Sequence, residues 1–143
     1  LSGIPLTDRR FASSCVFVTG HEDPRKLENS IDLNSLSEAG TIVLYMAVEN
    51  LDKIVKQLLK AGKDKDTAVA IIQDASLPTQ KVLDGTLKDI VTKARTEKIR
   101  PPAIIIIGEV AKIRRCRQNC IMETLFLGIL LTDIMQRATT LFS

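Results

Sequence analysis

Aromatic residues are scarce in this chain: its 143 residues include one Tyr, four Phe and no Trp. The core must therefore be aliphatic, and the aromatic platforms on which single-stranded nucleic acid stacks are not available. Histidine is limited to His21, which leaves little capacity for acid–base chemistry near neutral pH. Cys15, Cys116 and Cys120 form no Cys-x-x-Cys pair. A metal site of the His/Cys type is poorly supported by that set, and the usage suits a reducing cytoplasm. No Gly-rich phosphate loop and no placeable Ser/His/Asp set occur. The longest apolar run, Leu125 to Leu131, is far short of the ~20 residues that span a bilayer, so no membrane segment is expected.

Charge is equally uninformative. The net charge is +3, and bases alternate with acids along most of the chain, which gives no case for a nucleic-acid partner. The exception is the basic run Lys112, Arg114, Arg115 and Arg117, either a solvated surface or a place for an anion. The opening Leu1-Ser2-Gly3-Ile4-Pro5 carries no secretory pattern and reads as the interior of a longer sequence.

What is present is an alternation of apolar runs and helical patterns. Cys15–Val18, Ile42–Met46, Ala68–Ile72, Lys81–Val82–Leu83 and Ala103–Ile107 are the strand candidates. The last is continuous rather than alternating, as in a strand covered on both faces. The fourth is weak and is expected to be antiparallel or at an edge. Leu51, Ile54, Val55, Leu58 and Leu59 recur at helical spacing, with Asn50 placed to cap and Gly62 to stop the helix. Thr86 and Asp89 make a capping pattern before Leu87, Ile90, Val91 and Ala94. Pro101-Pro102 ends that segment, and a short helix around Leu36 is stopped by Gly40. The expected fold is α/β: a mixed, mostly central β-sheet of about five strands flanked by helices.

Several motifs, in order and in register, carry a resemblance. They are Ser2-Gly3-Ile4-Pro5-Leu6-Thr7-Asp8-Arg9, Val16-Phe17-Val18-Thr19-Gly20-His21, Thr41-Ile42-Val43-Leu44-Tyr45-Met46, Val69 to Ser76 with Gln80-Lys81-Val82 and Gly85-Thr86-Leu87, and Pro102-Ala103 to Val110. From Leu1 to about Ile113 the chain is similar to the C-terminal half of the uroporphyrinogen-III C-methyltransferases, within the tetrapyrrole methylase family. The resemblance implies S-adenosylmethionine as methyl donor and methylation of uroporphyrinogen III at carbons 2 and 7 to precorrin-2, which feeds sirohaem and corrinoid synthesis. It also implies a homodimer, with the cofactor folded between two α/β domains.

By the same resemblance Met46 packs on the adenosine, and Ala75 is the small residue that lets backbone groups approach the cofactor. Gly108 joins the cofactor-binding set, and Arg9 faces the tetrapyrrole, where a guanidinium can fork onto a carboxylate. Each residue also has a plainer role. Met46 suits a buried gap-filler, Ala75 a turn residue and Arg9 a structural ion pair, while Gly108 suits close backbone approach. His21 suits a loop residue as well as a catalytic one.

Four departures from the family stand out. Asp8 occupies the usual His position, and Ala75 a position that is often Gly. The glycine-rich loops and acid–base residues of the family's N-terminal half do not occur here, so the chain alone is expected to be inactive. Residues 114–143 match nothing, and they form a second, unmatched and possibly helical segment after residues 1–113. The alternatives are a non-catalytic interaction or dimerisation module, or another methylase of the same fold.

Overall fold

The computed structural model describes residues 3–20 and 33–113. His21, Cys116, Cys120 and the 114–143 segment lie outside them.

The strands are β1 (Cys15–Thr19), β2 (Thr41–Tyr45), β3 (Ala68–Gln73), β4 (Lys81–Thr86) and β5 (Ala103–Ile107). The helices are α1 (Leu33–Leu36), α2 (Leu51–Lys60) and α3 (Ile90–Thr96), and a 3₁₀ helix covers Glu109–Ile113. The strands form one sheet in the order β1-β2-β5-β3-β4. Only β1 and β2 are parallel; β5 runs antiparallel to β2 and β3, and β4 antiparallel to β3. The sheet is therefore mixed, and the weak fourth run is an antiparallel edge strand. As an edge strand it is less covered, with half-buried residues at all but one of its positions.

β5 occupies the centre, and its isoleucines serve both faces. Ile105 and Ile107 join Ile42, Leu44, Val69 and Ile71 beneath the helices, while Ile106 packs with Val43, Ile72 and Val110 on the other face. The helical layer contributes Leu51, Ile54, Val55 and Leu58 from α2, and Ile90 and Ala94 from α3. Burying each large aliphatic side chain of that set contributes about 1.5–3 kcal/mol. The opposite face is covered more thinly, by Ile4, Leu6 and Ala12 and by the 3₁₀ helix. Phe17 and Tyr45, with ring centroids 6.4 Å apart, stay exposed there.

The helix ends follow local chemistry. Gly62 has φ +92°, its N–H reaches the Leu59 carbonyl, and the Lys63 N–H reaches that of Leu58. These are the paired bonds of a Schellman stop. α3 ends in the same way, with Lys98 at φ +51° in the glycine position. Asn50 precedes α2 as expected but does not cap it. Its φ of −97° and ψ of 5° are not the extended backbone a side-chain cap needs. The amide instead donates to the Gly20 carbonyl at 2.8 Å, tying α2 to the end of β1. Of the Thr86/Asp89 pattern one half is realised: the Asp89 carboxylate accepts the Thr86 N–H at 2.7 Å, and α3 starts only at Ile90.

Candidate functional site: a cleft at one end of the sheet

β2 and β3 both run toward one end of the sheet, and β5 starts there, since Tyr45 pairs with Ile104 and Gln73 with Ala103. In α/β sheets the space outside the carboxyl ends of strands is where ligands commonly bind. Here it holds a cleft of about 510 Å³, within the size range of small-molecule sites. Its walls are mainly apolar: Val48, Ile72, Leu77, Pro101, Pro102 and Ile104. Met46, Glu49, Asp74 and Ala75 supply the rest of its character.

Two of these residues hold an uncommon backbone. Met46, directly after β2, has φ +50°, and Asp74, directly after β3, has φ +52°. A non-glycine residue in this region costs about 1 kcal/mol or more, and such outliers gather at functional sites. The Asp74 turn is pinned from below. Its N–H donates to the Pro102 carbonyl at 3.0 Å, and the buried Gln73 side chain accepts the Arg100 N–H at 3.0 Å. Gln80 secures the next turn by accepting the Ser76 N–H at 2.8 Å. Among the described residues, the Met46 and Ala75 N–H groups have no hydrogen-bond partner, so both remain available to a ligand.

The residues picked out from the sequence divide between this cleft and elsewhere. Met46 and Ala75 both line it. Met46 is 64% exposed, which removes the buried gap-filler role. Gly108 does not line it. It follows β5 at the opposite end of the sheet, five residues beyond Ala103, or ~16 Å at strand spacing. Its N–H donates to the Ala68 carbonyl, and a Cβ there would stand 2.5 Å from the Gly40 carbonyl oxygen. Close packing against Gly40 is thus sufficient reason for a glycine. Arg9 is exposed and lies outside the cleft lining, with no ion pair among the described residues. The aspartate beside it serves Arg10 instead: Asp8 Oδ1 accepts from Arg10 Nε at 3.0 Å. That hydrogen bond holds the Asp8 carboxyl below the usual carboxylate range.

Sequence reasoning missed Glu49, Asp74 and the Pro101–Pro102 wall. Their common signal was position: each follows or precedes a strand at the same end of the sheet, which is visible only once strand directions are known. Among the described residues no group of His, Cys, Asp and Glu is placed to hold a metal ion, and no helix is long and apolar enough to cross a membrane.

Comparison with known proteins identifies the family. The family model Tetrapyrrole (Corrin/Porphyrin) Methylases matches residues 1–91. The chain is 46% identical over 114 residues to the uroporphyrinogen-III C-methyltransferase of Methanocaldococcus jannaschii, covering 79% of this chain and 47% of that protein. It is 42% identical over 115 residues to the siroheme synthase of Nitrosomonas eutropha, covering 80% of this chain and 24% of the relative. In structure it resembles the uroporphyrin-III C-methyl transferase of Thermus thermophilus complexed with S-adenyl homocysteine. That likeness has a TM-score of 0.68 and 31% identity, and covers 78% of this chain and 49% of the other. The chain thus spans about half the length of the methyltransferases it matches. With the family matched over most of its length, this chain belongs to the tetrapyrrole (corrin/porphyrin) methylases.

Proposed function

We propose that the cleft beside Met46 and Ala75 is one wall of the methyl-donor site of an S-adenosylmethionine-dependent methylase acting on uroporphyrinogen III. The observation that carries this reading is the left-handed turn at Met46, which brings an exposed thioether and an unpartnered N–H to the same cleft that Ala75 lines from the end of β3. The donor set fits such a cofactor. An apolar slot between Val48, Leu77 and the two prolines suits a purine ring, two backbone donors suit its nitrogens, and the Glu49 and Asp74 carboxylates suit hydroxyl or ammonium groups. When bound, S-adenosylmethionine supplies an electrophilic methyl on a sulfonium. The contribution of this chain is to hold the nucleoside in place, exclude water along the apolar wall and fix the direction of approach. Among the described residues that line the cleft, the acid–base groups are the two carboxylates and Tyr45.

The reading is of one wall because the matched methyltransferases are about twice as long as the matched region. Calorimetry with S-adenosylhomocysteine tests it: binding weaker than micromolar is expected from this chain. Micromolar binding would contradict the one-wall reading, and no binding at millimolar ligand would remove the cofactor reading.

A second reading, as an association module, is favoured by the exposed Phe11, Phe17, Tyr45 and Leu77. Exposed apolar patches of this kind promote pairing, and a homodimer in the cytoplasm is the form proposed. Light scattering decides that point, and a clean monomer at high concentration would count against it.

A further inference from the structure

We propose that Asp74 is a specificity-determining residue of the cleft, accepting hydrogen bonds from the vicinal hydroxyls of a nucleoside ribose, and that Gln73 is its positioning residue. The inference rests on the donor-site reading above and assigns one part of the ligand to one side chain.

A carboxylate in an apolar cleft is useful only if it is aimed and has capacity to spare. Asp74 is aimed from two sides. Its backbone is fixed at φ +52° by the bond from its N–H to the Pro102 carbonyl. Its Oδ2 accepts from Gln73 Nε2 at 3.2 Å. Gln73 is itself only 8% exposed, and its other amide atom is occupied by the Arg100 N–H. The amide therefore cannot turn away without leaving its own buried polar atoms unsatisfied, which costs about 1–3 kcal/mol. Thus Gln73 links the tip of β3 to the Arg100–Pro102 wall and holds the carboxylate between them.

What remains is acceptor capacity. An ionised carboxylate has about four lone-pair sites, and among the described residues Gln73 is the side chain seen to donate to Asp74. No Lys or Arg among the described residues forms a salt bridge to it. The ligand's contribution must then be a donor. Within a nucleoside the cis-diol is attached next to the base. Val48, Leu77, Pro101 and Pro102 line the same cleft as Asp74, so a base against those apolar residues would have its ribose within the cleft that the carboxylate also lines. An ammonium at the far end of an amino-acid tail would lie away from that wall. A carboxylate accepting from a ribose diol is a recurrent solution in nucleotide sites.

Asp74→Asn tests this without disturbing the fold. Asn tolerates the left-handed backbone, and its carboxamide oxygen can still accept from Gln73. Asp74→Gly, which relaxes the backbone, is the second variant should the first melt early. The full chain is titrated with S-adenosylhomocysteine, adenosine and 2′,3′-dideoxyadenosine, following amide shifts to reach weak affinities. Asp74→Asn is expected to weaken S-adenosylhomocysteine and adenosine alike by about tenfold or more, the scale of a charged hydrogen bond. Wild type should prefer adenosine over the dideoxy compound by a similar factor, and the variant should bind the two nearly equally. Loss of S-adenosylhomocysteine affinity with unchanged adenosine affinity would assign the carboxylate to the ammonium and overturn the proposal. Unchanged affinity for every ligand would overturn it too, leaving the donor site standing. If wild type binds none of the three, the donor-site reading itself fails.

Discussion

Gly108→Ala separates a packing glycine from a ligand-binding one. The added Cβ would lie 2.5 Å from the Gly40 carbonyl oxygen and 3.3 Å from Thr41 Cα. Neither neighbour is a flexible side-chain end, because both are backbone beside the buried start of β2. Overpacking of this kind costs about 1–3 kcal/mol. The φ of +143° excludes an L side chain as well, adding about 1–3 kcal/mol. Together these take about 2–6 kcal/mol from a domain whose total stability is on the order of 5–15 kcal/mol. The thermal midpoint should fall by roughly 10 °C or more. Urea denaturation of wild type and variant measures the loss. Affinity for S-adenosylhomocysteine, measured well below the new midpoint, should stay within about twofold, because Gly108 lies four residues beyond Ile104 of the cleft lining, or ~13 Å at strand spacing. A variant of native stability with weakened affinity would refute this reasoning and return Gly108 to the cofactor site.

Other consequences follow from the same packing. Leu58, fully buried between α2 and the sheet, should lose about 2–5 kcal/mol on Leu58→Ala, read as a lower urea midpoint. Lys98→Gly should raise stability by about 0.5–1 kcal/mol, since Lys98 holds φ +51° where a Schellman stop prefers glycine. Asp89 has its pKa lowered, chiefly by the hydrogen bond from Lys93 and then by that from the Thr86 N–H. A depressed carboxylate stabilises above its unfolded value near ~3.9 and loses that contribution as pH falls through the folded pKa. The stability difference between wild type and Asp89→Asn should therefore hold at neutral pH and shrink below about pH 4. A gap that widens in acid would show the assignment to be wrong.

The architecture was legible because its signals are local. Ala103–Ile107 is apolar on every residue, and the strand it predicts is the central one, with Ile105 and Ile106 facing opposite layers. The stripe from Leu51 to Leu58 likewise became the buried face of α2. Strand order and partners were not legible: the weakness of Lys81–Thr86 points to an antiparallel or edge strand, but nothing in it announces that it pairs with β3 rather than β2. The site followed the same division. Met46 and Ala75 were marked by family motifs and lie together in the cleft. Asp74 and Glu49 were passed over, because their meeting depends on β2 and β3 ending at one edge. Gly108 shows why a glycine is ambiguous in sequence: glycine marks close backbone approach of any kind, and here the approaching backbone is Gly40. Asn50 misled, because a good capping side chain was recruited by the Gly20 carbonyl instead.

The central claim is that the nucleoside half of a methyl donor lies against the ends of β2 and β3. Amide chemical shifts followed during titration with S-adenosylhomocysteine test it most directly. The account predicts that Met46, Asp74, Ala75 and Ile104 shift together with one apparent affinity, while Gly108 and its neighbours stay still. Shifts centred on Gly108 and Gly40, with Met46 and Ala75 unmoved, would contradict it.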